Sequence, residues 1–161
     1  MAAETLTATR ASATFPVAGS GPAGDLKVGW GTYAVAANVE DGDIFEMHWV
    51  PDGATVIGGW YLAEDMDTGT ETLDQDVGWA ANSTDAADPD GLLNAGVMTG
   101  DTSVHIAGAL VYMPYQGVLV SAGPKTFTKG AGATKIQVES NAVAATFAAG
   151  QMTIVTLFTH V

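Results

Sequence analysis

The chain has 161 residues, five of them basic and 18 acidic, for a formal net charge of −13 at pH 7. Residues 28–124 contain no lysine or arginine yet hold 15 of the acidic residues. A body with one sign of charge repels polyanions, which excludes DNA, RNA and anionic membranes as expected partners, since these need clustered Lys and Arg.

The length fits one domain with a proper core. Hydrophobic residues make up 47 % of the chain and charged residues 14 %, against about 25 % charged in average globular proteins. Ala, Gly and Thr fill the difference, and such small residues suit tight sheet packing and contact between subunits. Cysteine is absent, so no disulfide framework, thiolate metal site or Cys nucleophile is expected. The first ten residues, MAAETLTATR, lack a basic region followed by an apolar one and do not read as a secretory signal. No apolar run reaches the length of a membrane span. The expectation is a soluble protein made in the cytoplasm.

In chain order, residues 5–15 have the pattern of a strand, and 16–24 (PVAGSGPAG) read as a flexible linker. Together residues 1–24 are expected to form an arm that leaves the body and packs on a neighbour, with residues 25–161 as the body. Residues 26–38 alternate Leu26, Val28 and Trp30 with Lys27, Gly29 and Gly31, as a strand does. A turn at 40–43 leads to a strand over 44–50, with Phe45, Met47 and Trp49 on one face and Glu46 and His48 on the other. Pro51-Asp52-Gly53 is a strong turn, with Pro presetting φ and Gly permitting positive φ. The next strand, 54–62, is expected to place Val56, Trp60 and Leu62 together. After a turn at 67–69, residues 70–79 should face Leu73, Val77 and Trp79 inward and Asp74 and Asp76 outward. Residues 82–96, with Asp85, Asp88, Pro89, Asp90 and Gly91, read as a surface loop. Further strands are expected at 103–113, 117–120, 126–129, 133–140, 142–147 and 152–161. Eight to ten short strands at this spacing predict an all-β fold, an antiparallel two-sheet sandwich of jelly-roll type.

Four constellations bear on chemistry. Asp85, Asp88 and Asp90 form one oxygen-rich loop and Asp65, Asp67 and Glu71 a second, but neither has the spacing or the bidentate Glu of a calcium loop. Asp and Gly also fill turns without any ion, so no metal or cofactor is expected. Glu46/His48 and Asp74/Asp76 are neighbours on strand faces, yet no nucleophile, base and orienting group can be assembled. His48, His105 and His160 have no ligand spacing, and no catalytic residue is expected. The glycines at 19, 21 and 24 superficially match a phosphate loop, but Pro22 interrupts it and no helix pattern follows. Trp49, Trp60 and Trp79 are expected in the core. Tyr112 and Tyr115 are better candidates for surface contact.

The segment LKVGWGTYAVAANVEDGDIFEMHWVPDGATVIGGWYLAEDMDTGTETLDQDVGWAANSTDAADPDG, with YMPYQGVLVSAGPKTF and the valine-rich last strand, resembles the head decoration, or cement, proteins of tailed bacteriophages. The resemblance covers residues 26–161 and rests on turns and strands, with no catalytic motif. It implies a β-sandwich that binds the outside of an assembled icosahedral shell as a homotrimer, with the major capsid protein as partner and the virion surface as its place. It brings no active-site residues. Charge adds a site expectation: the two ends of the chain carry five basic and three acidic residues. The shell-facing side is therefore expected to include Arg10, Lys125, Lys129 and Lys135, with Leu6, Phe15 and Val17 of the arm supplying apolar contact. The acidic loops around Asp67 and Asp88 are expected to point to solvent. The competing classes are a tail- or surface-associated module that binds glycans or a receptor, with or without calcium, and a small hydrolase.

Overall fold

The computed structural model describes residues 3–8, 11–12, 25–93, 109–112 and 124–160. Among the described residues there are ten strands: β1 (Thr5–Thr7), β2 (Leu26–Val35), β3 (Ile44–Val50), β4 (Thr55–Ala63), β5 (Gln75–Trp79), β6 (Asp88–Leu93), β7 (Ala109–Tyr112), β8 (Lys125–Thr126), β9 (Thr134–Ser140) and β10 (Gly150–Thr159). They form two sheets, β1-β3-β9-β5-β6 and β2-β10-β4-β7, with β8 paired to β4. The protein is the antiparallel two-sheet sandwich that strand spacing predicts, apart from one parallel pair, β1 with β3.

The pairs β2·β10, β3·β9, β4·β7 and β5·β6 are all antiparallel and nested one inside the next. They are the rungs of one long two-stranded ribbon, with β2, β3, β4 and β5 on the outgoing arm and β6, β7, β9 and β10 on the return. Wrapping the ribbon adds the pairs β10·β4 and β9·β5, which close the two sheets. An isolated ribbon is marginally stable; it needs a second sheet to cover its apolar face. That cover is the core between the sheets, where Phe45, Met47, Val56, Tyr61, Val77, Ile136, Val138, Met152, Ile154 and Phe158 are all buried. The sheets are also tied through the core by polar groups: the Tyr61 hydroxyl of β4 donates to Gln75 of β5, whose amide reaches Ser140 of β9 at 3.2 Å.

Two bulges overturn parts of the face assignment. The register of β3 on β9 shifts between Glu46 and His48. An extra residue re-phases everything after it, so Met47, His48 and Val50 are buried and Trp49 is half-exposed. Glu46 and His48 are therefore not neighbours on one face. A second shift, opposite Leu157/Phe158, leaves Ile57 unpaired in β4. Val56, Tyr61 and Ala63 then face the core, and Trp60 and Leu62 are half-buried on the outer side. Of the three tryptophans expected in the core, Trp79 alone is there.

Other boundaries moved as well. β6 lies within the stretch read as a loop; Pro89 and Gly91 suggested a break, but β6 ends its sheet, and an edge strand tolerates proline. Gly91 also serves contact, because a Cβ there would meet the Trp79 ring at 2.3 Å. Residues 142–147 form no strand; Phe147 makes a single bridge to Asp67. The strand expected at 117–120, the linker at 16–24 and Tyr115 lie outside the described residues.

Candidate functional site

Leu6 lies in β1, half-buried against the core and in register with Phe45. The strand signal at 5–15 is thus realised over Thr5–Thr7, and it is used in this chain's own sheet. Arg10, Phe15 and Val17 lie outside the described residues. Lys125 and Lys135 have internal partners. Lys135 Nζ is 2.6 Å from Glu46 and 5.0 Å from the Trp49 ring centre. Lys125 Nζ is 3.5 Å from Asp85 and 4.8 Å from the Trp79 ring centre. Lys129 is exposed, beside the turn at Gly53. That turn is held by Asp52, whose carboxylate accepts from the backbone N–H groups of Gly130 and Gly132. The bond from Gly130 leads in holding the Asp52 carboxyl below its ordinary range.

The acidic loops reach solvent at Asp65, Thr68, Thr70, Ser83, Thr84 and Asp90, yet each turns one carboxylate back onto the chain. Asp67 is 2 % exposed. Its carboxylate accepts backbone N–H bonds from Thr72 (2.7 Å), Leu73 (3.2 Å), Ala145 (3.1 Å) and Thr146 (2.8 Å). Burial pushes its pKa up, and the four bonds overcome that and hold it at about 2. Such a ring of N–H donors presents positive dipole ends, the opposite of what a cation needs beside its ligand. Asp85 is similarly committed, to Asn82, Thr128 and Lys125. Both loops are pins that fasten the chain to itself. His48 is a buried structural group, with Nε2 2.9 Å from the Thr156 hydroxyl and Nδ1 3.2 Å from the Trp49 carbonyl.

The outer sides of the two sheets differ in chemistry. On β3-β9-β5-β6 the outer side carries Glu46, Lys135 and Glu139, all half-buried, and Asp76, which was expected to face solvent but is 6 % exposed and accepts from the Asn141 amide. Asp76 and Glu139 stand directly opposite one another across β5 and β9, a like-charge pairing that destabilises a sheet. Burial, with the charges of Asp76, Asp41 and Asp90, pushes the Glu139 carboxyl up. Burial and Asp76 do the same to Asp74.

On β2-β10-β4 the outward residues are neutral. The register stacks them in rows: Leu26–Thr159–Thr55, Val28–Leu157–Gly58, Trp30–Val155–Trp60 and Thr32–Thr153–Leu62. Leu26 and Val28 are each 55 % exposed and Trp30 44 %. The alternation in 26–31 located this strand without saying which set faces in. The glycines do, because β2 runs close over β3: a Cβ on Gly31 would lie 1.9 Å from the Met47 carbonyl oxygen, and one on Gly29 2.8 Å from the His48 ring. Glycine at alternate positions opposite large apolar residues was the signal for an outward apolar stripe, and sequence reasoning did not use it.

This fold is found in phage capsids. The chain is similar to a chain in the capsid of Ralstonia phage GP4, at 19 % identity over 98 % of each chain with a TM-score of 0.76. A chain in the capsid asymmetric unit of cyanophage Pam1 matches at 22 % identity, over 92 % of this chain and 95 % of that one, with a TM-score of 0.62. A chain in the acidic stable capsid of Helicobacter pylori bacteriophage KHP30 matches at 14 % identity, over 86 % and 90 %, with a TM-score of 0.52. No family model and no curated protein matches the sequence. At these identities the likeness is one of fold.

Proposed function

We propose that this chain is a non-enzymatic virion structural protein, and more narrowly a decoration or cement protein that binds the outer surface of a phage capsid and stabilises it. The observation that carries the reading is the end-to-end match in fold to a chain of the GP4 capsid, 98 % of each chain covered. The nested ribbon described above supports reading the sandwich as a jelly roll, a two-sheet fold of capsid and lectin domains. The partner in this reading is the major capsid protein, and three copies act together, since closed cyclic symmetry leaves no unsatisfied copy-to-copy surface.

The division into an arm (1–24) and a body (25–161) belongs to the proposal, with β1 as the point where the arm is held. Leu6, Arg10, Phe15, Val17, Lys125, Lys129 and Lys135 are the proposed charged and arm contacts. Lys125 and Lys135 would have to leave Asp85 and Glu46 to serve, so the weight falls on the arm and on exposed Lys129. The acidic surface keeps particles dispersed and does not attract DNA.

The test is to add purified protein to phage heads that lack it, then image the heads and follow their heat resistance. Ordered density on the outer surface and slower rupture are expected. Heads that stay bare, or a protein that is only monomeric both in solution and on particles, would count against the reading.

A further inference from the structure

We propose that the neutral outer face of β2-β10-β4, centred on Leu26, Val28, Trp30, Val155, Leu157 and Trp60, is the surface that seats on the shell, against an uncharged apolar patch of the shell protein. The inference deepens the decoration reading and rests on it.

Three observations carry it. First, the four outward rows of β2-β10-β4 contain no charged side chain, although the chain has a net charge of −13. Desolvating carboxylates is unfavourable unless each finds a partner, whereas removing apolar surface from water is favourable. Of the two outer faces, the one bearing Glu46, Lys135 and Glu139 costs more to desolvate, so the neutral one is the one that is covered. Second, the exposure is concentrated: Leu26, Val28 and Trp30 are three of the four exposed large apolar residues among those described, and all three lie on β2. They are continuous through Val155 with Trp60. Scattered apolar residues need no explanation, but a contiguous stripe marks a contact.

Third, size selects the occupant. With the flanking β7 and β8 counted as one further strand beside β4, four strands about 4.8 Å apart, over the stretch Leu26 to Thr32 at about 3.4 Å per residue, give a face of about 460 Å². A self-standing pair of proteins needs about 800 Å² on each partner. A face this small does not hold two free copies together. It does suit a contact made several times at once by linked copies on a shell, where each engagement raises the effective concentration for the next. The face therefore fits the shell better than a sister copy.

Val28→Glu and Trp30→Ala test this in the full chain. Both sites are exposed, so an unchanged melting temperature checks folding. Binding to heads lacking the protein, and oligomeric state by light scattering, are then measured at low and high salt. Trp30→Ala is expected to weaken head binding about tenfold, as loss of a contact hot spot does, and Val28→Glu to weaken it more. Oligomeric state should not change, and parent binding should vary less than about threefold with salt, because no ion pairs are involved. Variants that bind like the parent overturn the inference while the parent's own binding upholds the decoration reading. A Val28→Glu chain that falls apart in solution assigns the face to sister copies and overturns it too. Steep salt dependence of the parent would give the contact to the lysines and the arm. A parent that binds no head sinks both readings.

Discussion

The two outer faces of the sandwich come from strands of one ribbon and share one core, yet they are chemically opposite. Behind the neutral face, glycine faces inward and large apolar groups face outward on β2. Behind the acidic face the usual order holds, with Val77, Ile136 and Val138 inward and carboxylates outward. The difference shows that an apolar residue in a strand is not by itself a core residue. The side that carries the glycines takes the close approach, and the other side is left for a partner or for water.

The largest expected effect breaks the neutral face from behind. Gly31→Ala puts a methyl 1.9 Å from a backbone oxygen of β3, and backbone has no rotamer to yield. A loss of about 3 kcal/mol or more is expected in urea unfolding. Gly78, with the Asp88 carbonyl at 1.9 Å, should behave alike in the acidic sheet. Equal losses would show that both sheets rely on close backbone approach. A silent Gly31→Ala would remove the reason given for the outward turn of Leu26, Val28 and Trp30.

Next in size is Asp67→Ala. It strips four N–H groups, the buried one of Leu73 among them, of their acceptor, and about 2 kcal/mol of destabilisation is expected. Chelation with EDTA should leave the melting temperature of the parent unchanged. A fall of several degrees reversed by calcium would show that an ion is held.

Smaller again is Lys135→Ala. The ion pair with Glu46 is partly exposed, so its loss is expected to cost about 1 kcal/mol, or about 3 °C in a chain of this size. A larger fall would show that the cation over Trp49 contributes more to the β3-β9 pair than an exposed ion pair does.

The smallest effect sharpens the electrostatic half of the contrast. Glu139 and Asp74 have raised pKa values in the folded state, so their ionised forms oppose folding at neutral pH. That opposition disappears as pH falls through their raised values to the ordinary carboxylate range. Asp67 is lowered to about 2; its contribution is complete above the ordinary Asp value and is lost as pH falls from there toward about 2. The melting temperature should therefore climb from neutrality to the ordinary carboxylate range and drop below it. Glu139→Gln should stabilise the protein at pH 7 by about 0.5 kcal/mol and flatten the climb alone. A melting temperature that falls steadily from pH 7 downward would contradict the assignment.

Much of the sandwich was legible because strand period and turn chemistry are local. The turn at Pro51-Asp52-Gly53 stands where it was expected, with Gly53 at a φ of +70°, and β3 runs over the expected residues. Most of the misreadings share a cause: they were decided by partners distant in sequence. The bulges in β3 and β4 appear only against β9 and β10. Asp67 was read as a loop tip because its donors, Ala145 and Thr146, lie 78 and 79 residues away. Of the candidate site, the basic residues and the arm could be named from charge and linker composition. The neutral face could not, since it exists only once β2, β10 and β4 are laid side by side.

The position of β10 has a consequence for biosynthesis. It lies between β2 and β4, pairing with both along most of its length, and it is the last strand of the sandwich in chain order. Until residues 150–159 have been made, β2 and β4 have no neighbour to join them, and nascent chains carry the apolar faces of both strands uncovered. The sheet can therefore close only once this strand is available, and its long-range pairing makes closure slow relative to local turns.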